Sequence, residues 1–248
     1  MKLKIRGVTT LKKIYGYIKI LAKRISFIGT RRYCPICGRH FRKFDTYGLD
    51  PRPDALCIHC KSLERHRLVW LFLTTKTSLF NGQPHQMLHV APEPCFKTRL
   101  KKRLKNGYIT ADLHSPNVQI VMDITNIPLG NEAFDVIYCS HVLEHVPDDQ
   151  KAICEFYRVL KPSGWALLLV PINVEKTVED PSITDPRQRE RLFGQSDHVR
   201  KYGPDFIDRI QKAGFKVHKI LPSDFLSAEQ IRKCGITVDT PLFYCTKQ

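Results

Sequence analysis

The run from Tyr108 to Pro171 constrains this chain more than any other stretch. It contains YITADL, VMDITNIP, FDVIYCSHVLEHVPD and EFYRVLKPSGWALLLVP. Each is a short apolar run closed by an acid or polar residue and followed by a loop or a helix. That rhythm belongs to a parallel α/β sheet whose strand ends face a ligand. MLHVA at 87–91 adds a first strand, and QIVMDI a third. FKVHKIL and PLFYCTK add two final strands, joined by a helix from Ser227 to Lys233. A mixed seven-stranded sheet closed by a hairpin is therefore expected. A chain of 248 residues, 42% of them hydrophobic, has room for that core and one small appendage.

The appendage is written in cysteines. Of nine, four form two pairs, Cys34-Pro-Ile-Cys37 and Cys57-Ile-His-Cys60, separated by nineteen residues. Paired knuckles at this spacing predict a zinc ribbon. Four thiolates close the coordination sphere, so the ion would be structural. Gly38 can take the positive φ that such a turn needs. Between the knuckles, Phe41, Phe44 and Tyr47 alternate with Arg39, Arg42, Lys43 and Arg52. They read either as the ribbon's small core or as a surface that stacks on single-stranded RNA. The core reading is the simpler.

The net charge of +16 is unevenly placed. Residues 1–32 hold ten Lys or Arg and no acid, leaving +6 for the other 216 residues. Leu11, Ile14, Tyr15, Ile18, Leu21 and Ile25 recur at helical spacing among these cations. An amphipathic helix lying on an anionic membrane surface is one expectation, contact with RNA phosphates a second, and a helix packed on its own body the third. No apolar run reaches the roughly 20 residues that span a bilayer, and the start does not read as a secretory signal. A cytoplasmic protein is expected, held peripherally at the inner membrane face if the arm binds lipid. The domains are then a basic arm (1–30), a ribbon (31–61) and an α/β domain (62–248), with a helix over 62–76 capped by Ser62.

The strand ends suggest a nucleoside. Where a dinucleotide fold carries GxGxxG, this chain carries Ala91-Pro92-Glu93-Pro94, whose prolines remove amide donors that a pyrophosphate needs. NAD and FAD are disfavoured, but a cofactor without phosphate is not. Asp112, about twenty residues beyond the first strand, can accept ribose hydroxyls. Asp123 can accept from an adenine amine while Ile124 packs on the ring. The fourth strand delivers Ser140 and His141 to the rim.

The run from Asp112 to Pro171 resembles the class I S-adenosylmethionine-dependent methyltransferases, of the type 11-like group that methylates small molecules. The resemblance rests on Asp112, Asp123-Ile124, FDVIYCSHVLEHV and YRVLKPSGWALLLVP. LHVAPEP, DITNIP and GQSDHVRKYG are similar to a subset with an N-terminal cysteine knuckle domain. It covers roughly residues 62–248, and the family's glycine-rich first loop is absent. It implies a Rossmann-like methyltransferase sheet and S-adenosylmethionine as cofactor. Cofactor contacts are implied at His89, Ala91, Glu93, Asp112, Asp123, Ile124, Ser140 and His141. His141, His145 and His198 are candidate bases, since an imidazole near neutral pKa suits removal of a hydroxyl or amine proton.

The segment 172–203 reads as a loop with one short helix, covering the acceptor in such sheets. In it Arg200 either pairs with an anionic group of the substrate or is tied to Glu179 or Asp180, and Tyr202 belongs to the same cluster. Methyl transfer to a small-molecule or glycan-like acceptor is the leading expectation. RNA methylation with the ribbon as reader is the second. A non-catalytic binding module with a degenerate cofactor loop is the third.

Overall fold

The computed structural model describes residues 25–48 and 50–247. The amphipathic arm expected over 1–30 therefore lies, except for its last six residues, outside the described residues. Among the described residues no helix is long and apolar enough to cross a membrane. The described residues divide into two compact units, one within 25–71 and 226–238, the other within 72–225 and 239–247.

The first unit is built on two small antiparallel hairpins. β1 (Arg32–Cys34) pairs with β2 (Arg39–Phe41), and β3 (Asp45–Tyr47) pairs with β4 (Arg52–Leu56). Strands of three to five residues cannot hold themselves together, so the unit relies on what ties their ends. Phe41 and Phe44 are buried with ring centroids 5.9 Å apart, as the core reading requires, whereas Tyr47 is exposed.

A helix over Glu64–Thr75 leaves this unit. Its Arg67 is fully buried and donates to the carbonyls of Ala55 and Ser62 at 2.9 and 3.0 Å, of Gly235 at 2.8 Å, and of Cys234. Its guanidinium also lies 4.0 Å over the Phe44 ring. The planar fork of five donors thus satisfies carbonyls from three separate segments, which a lysine cannot do. Burial lowers the Arg67 pKa, and the nearby charge of Cys34 works against that shift.

These contacts revise the expected boundary at residue 62. The helix Ala228–Cys234 belongs with the ribbon, because Arg67 binds its C-terminal carbonyls and Arg32 donates to Arg232 O. The helix ends in left-handed Gly235 (φ 57°), where a Cβ would come within 3.0 Å of the Phe44 ring. Replacing Arg67 with methionine is expected to destabilise this unit by about 3–5 kcal/mol, since four buried carbonyls lose their donor. Arg67→Lys should recover little of that loss. Chemical denaturation followed over the ribbon residues checks it; a lysine variant as stable as wild type would remove the argument.

The second unit is a seven-stranded sheet in the order β12-β13-β9-β8-β5-β6-β7. Its strands are β5 (Met87–Val90), β6 (Tyr108–Asp112), β7 (Ile120–Val121), β8 (Phe134–Ser140), β9 (Leu160–Leu169), β12 (Phe215–Ile220) and β13 (Leu242–Lys247). β5 to β9 run parallel, and β13 is antiparallel to both neighbours. This is the mixed seven-stranded sheet with a closing hairpin. The expected third strand, QIVMDI, shrinks to two residues at the sheet edge.

The buried sequence is patterned accordingly. β5 is buried at all four positions and β8 at six of seven, as befits central strands covered on both faces. The helix Asp149–Val159 buries Ala152, Ile153, Phe156 and Val159 at helical spacing, and Asp148 caps it by accepting from Lys151 N at 2.9 Å. Helices over Pro94–Leu104 and Phe206–Lys212 are further elements of this unit.

Candidate active site at the strand ends

In the sheet register Val90 lies opposite Ala111 on one side and Cys139 on the other. The residues that follow, Ala91, Asp112 and Ser140, therefore sit level at one edge. This is the carboxyl edge of a parallel sheet, where adjacent strand ends open a crevice. Two non-glycine residues on this edge have positive φ, Ala91 at 47° and His141 at 55°. Left-handed backbone costs energy for residues with a Cβ and concentrates at functional sites. Ala91 makes the turn that a glycine would make more readily.

Two of the three level residues, Asp112 and Ser140, carry unused polar capacity. Asp112 Oδ1 accepts from His114 N and Ser115 N at 2.8 and 2.7 Å, which shapes the loop after β6. Its Oδ2 has no partner among the described residues. Ser140 is buried, and its Oγ is without a hydrogen-bond partner. A buried hydroxyl without a partner is costly unless a ligand completes it. Asp123 is exposed and uses Oδ1 to accept from Thr125 N at 2.8 Å. Ile124 is buried in the core cluster beside Ile127 and Met122.

Two expected cofactor contacts have a different role. His89 is fully buried, with Nδ1 2.8 Å from Tyr108 Oη and Nε2 2.6 Å from Glu93 Oε2. Tyr138 Oη donates to Glu93 Oε1 at 3.0 Å. A carboxylate only accepts, so Nε2 donates to Glu93 and Nδ1 accepts from the phenol. Burial, with the Glu93 charge, raises the Tyr108 pKa and keeps that proton in place. Thus Glu93 turns back onto β5 and β8 instead of reaching outward. This network fixes a loop that has prolines where flexible glycines would stand. His89→Ala is expected to cost about 3 kcal/mol, from the cavity and the two orphaned partners. For a domain of this size that lowers Tm by roughly 6–12 °C, readable by calorimetry. A shift below 2 °C, under about 1 kcal/mol, would refute the bracing role.

Beyond Ser140 the chain makes a short turn, Leu143–His145, and meets the segment around His198. Val199 N donates to Glu144 O at 2.9 Å. The His145 and His198 rings meet edge to face with centroids 4.6 Å apart. His141 Nδ1 lies 3.4 Å from Glu144 Oε1, and His145 Nδ1 lies 3.2 Å from Asp197 Oδ2. Burial lowers the His198 pKa, and the neighbouring His145 adds to that. The three histidines expected as bases are thus brought together. Glu144 is buried among them. Its signal was the spacing His141, Glu144, His145.

Arg200 and Tyr202, expected at the substrate, are engaged within the fold, Arg200 with Glu179 as its alternative reading has it. Arg200 is buried and donates to Leu143 O at 2.9 Å, Pro147 O at 2.7 Å, Val146 O and Glu179 Oε2 at 2.8 Å. Tyr202 is fully buried and donates to Asp149 Oδ2 at 2.6 Å. Arg209 pairs with Asp149 at 2.8 Å and with Glu179. Two acids and two arginines therefore bolt the 178–209 segment, including the pairing of β10 (Val178–Glu179) with β11 (Arg200–Lys201), to the turn after β8. Arg200→Ala is expected to cost about 3–5 kcal/mol and to speed amide exchange over 197–203. Unchanged exchange there would contradict this bracing.

In the first unit the sulfurs of Cys34, Cys37, Cys57 and Cys60 all lie within 4.8 Å of one another. Cys34 and Cys60 are 3.5 Å apart, and Cys37 and Cys57 are 3.9 Å apart. Zn–S bonds of about 2.3 Å in a tetrahedron put sulfurs about 3.8 Å apart, so this donor set fits one ion. The knuckles close alike: Gly38 N donates to Cys34 O at 2.8 Å, and Lys61 N to Cys57 O at 2.9 Å. Gly38 and Lys61 have φ of 67° and 60°. Ser62, expected as a helix cap, instead sets its hydroxyl 3.3 and 3.2 Å from the sulfurs of Cys34 and Cys60.

A groove of about 620 Å3, lined by Lys97, Lys101, Lys102, Tyr108, Thr110 and Gln119 among others, includes none of the strand-end residues.

Comparison with known proteins matches residues 78–168 to the family described as a methyltransferase domain. A ubiquinone/menaquinone biosynthesis C-methyltransferase of Brucella anthropi is 33% identical over 105 residues, covering 36% of this chain and 40% of that protein. Mouse arsenite methyltransferase is 26% identical over 129 residues, covering 50% of this chain and 33% of that protein. The chain thus spans two fifths or less of the length of these two relatives. Among solved structures, the PH0226 protein of Pyrococcus horikoshii has a TM-score of 0.48 at 17% identity, covering 77% of this chain and 94% of that one.

Proposed function

We propose that this chain, which carries a class I methyltransferase domain, transfers a methyl group from S-adenosylmethionine to a small-molecule acceptor. The observation that supports it best is the level set of strand ends, where Asp112 Oδ2 and Ser140 Oγ have no partner among the described residues. Asp112 would accept from the ribose hydroxyls, with its loop already ordered by its other oxygen. Asp123 and Ile124 would border the adenine, and Ser140 would complete its hydrogen bonding on the ligand. Fixed Ala91-Pro92-Glu93 would shape the methionine end by its backbone, since the Glu93 side chain is held by His89 and Tyr138. When bound, the cofactor supplies an electrophilic methyl group. The residues of this chain then position the acceptor and take up its proton, and His141, whose Nε2 has no partner among the described residues, is the base we favour. The absence of a pyrophosphate-binding loop agrees with a cofactor that has no phosphate.

The reading extends to the first unit, where Cys34, Cys37, Cys57 and Cys60 would hold a structural zinc ion. Calorimetric titration with S-adenosylmethionine tests the central claim. Micromolar binding by the full chain is expected. No binding to the zinc-loaded protein, with or without candidate acceptors, would reject it.

A further inference from the structure

Two buried polar atoms, one on the turn after β8 and one on the segment that meets it, lack partners in a way that points to a second ligand. Glu144 is 1% exposed and its Oε2 has no hydrogen-bond partner. His198 is 6% exposed and its Nε2 likewise has none. His198 Nδ1 lies 3.2 Å from Phe193 O. A carbonyl accepts, so Nδ1 carries the proton and Nε2 presents a bare lone pair. A buried carboxylate oxygen and a buried imidazole nitrogen, both without a hydrogen-bond partner, are groups that one cation can satisfy. His145 completes the set: one ligand atom each from Glu144, His145 and His198 falls within 4.8 Å of the others. Asp197 Oδ2, 3.2 Å from His145 Nδ1, stands where a carboxylate orients a metal-ligating histidine. Arg200 and Val199 anchor the segment that carries His198 to the same turn, so the ligands are held on braced backbone.

We propose that Glu144, His145 and His198 form a divalent transition-metal site on the rim beside Ser140, open to an oxygen ligand. Two imidazoles and one carboxylate suit manganese, iron, cobalt or zinc better than magnesium or calcium. Three protein ligands leave coordination positions free, unlike the closed cysteine cluster. Resting on the methyl-transfer reading, the oxygen ligand is the acceptor's hydroxyl. The ion lowers the hydroxyl's pKa, and its proton passes to His141 or to water.

The test uses the full chain with its cysteines loaded with zinc, which manganese does not displace from thiolates. Manganese(II) is titrated, and the electron paramagnetic resonance signal of the free ion is read. One equivalent bound is expected. Glu144→Gln and His145→Gln are each expected to weaken it at least about tenfold. Circular dichroism melting confirms that these variants fold, and His145→Gln, at a half-buried position, guards against a folding failure of the Glu144 change. Catechol, a bidentate oxygen probe, should then displace metal-bound water and lower the water-proton relaxivity. No manganese binding by wild type, or equal binding by folded variants, overturns the site. Unchanged relaxivity overturns its oxygen ligand. Cofactor titration of the same samples separates the two claims: manganese binding without S-adenosylmethionine binding would sink the methyl-transfer reading and leave the metal site standing.

Discussion

Chelating the metal from the first unit, or changing Cys57 to serine, is expected to unfold the ribbon. Its two hairpins have strands of three to five residues, and between the two knuckles the buried apolar residues are Phe41, Phe44 and Ala55. So little apolar burial does not offset the entropy of ordering the chain. Structural zinc contributes roughly 10–16 kcal/mol to folding in small domains, as much as or more than the whole stability of most. Arg67 and Asp54 reinforce the unit but would not replace the proposed ion. Asp54 accepts from Arg32 Nε at 2.7 Å and from Phe44 N at 2.6 Å, interactions that lower its pKa against the opposing effect of burial. Amide exchange should lose its protection over 31–62 and over Leu226–Val238 after chelation, and one equivalent of zinc should restore it. Protection that survives complete metal removal would mean the cysteines hold no structural ion.

Asp112→Asn is expected to weaken S-adenosylmethionine binding about 10- to 100-fold, from the loss of charge-assisted hydrogen bonds of roughly 1.5–3 kcal/mol. Asparagine is chosen because its remaining carbonyl oxygen can still accept from His114 N and Ser115 N, so the loop keeps its shape. Tm should therefore move little. Asp112→Ala removes both functions, so it should lose affinity and also loosen residues 113–117. Calorimetry on the two variants separates the roles of the two oxygens. If Asp112→Asn binds the cofactor as tightly as wild type, the ribose role assigned to Asp112 is wrong.

Much of the sheet was legible because its signals are local. Strands β5, β6, β8, β12 and β13 are apolar runs ending in turn residues, and each forms where its pattern says. The position of Asp112 and Ser140 was legible the same way, because a residue that follows a parallel strand is carried to the carboxyl edge of the sheet whatever its neighbours. The cysteine cluster was legible because CxxC spacing by itself brings two sulfurs to one side of a turn.

Four expected site residues are engaged inside the fold for one shared reason. His89, Glu93, Arg200 and Tyr202 are polar residues in site-bearing segments, and sequence does not say whether a polar side chain faces a ligand or a partner. His89 sits on a strand whose two faces are both covered, so its ring is used between Tyr108 and Glu93. Arg200 is used by carbonyls more than fifty positions away. Ser62 has a sulfur cluster within reach, so it never serves as a cap.

By itself the sequence determined the elements, their alternation, the ligand edge and the four-sulfur cluster, since each depends on periodicity or short spacing. The tertiary structure alone decided which polar groups are already paired and which are not. It joined residues 226–238 to the ribbon through Arg67, and it brought His198 to Glu144 and His145 across more than fifty residues. Hydrogen-bond partners and buried lone pairs are relations between distant segments, and no local pattern encodes them.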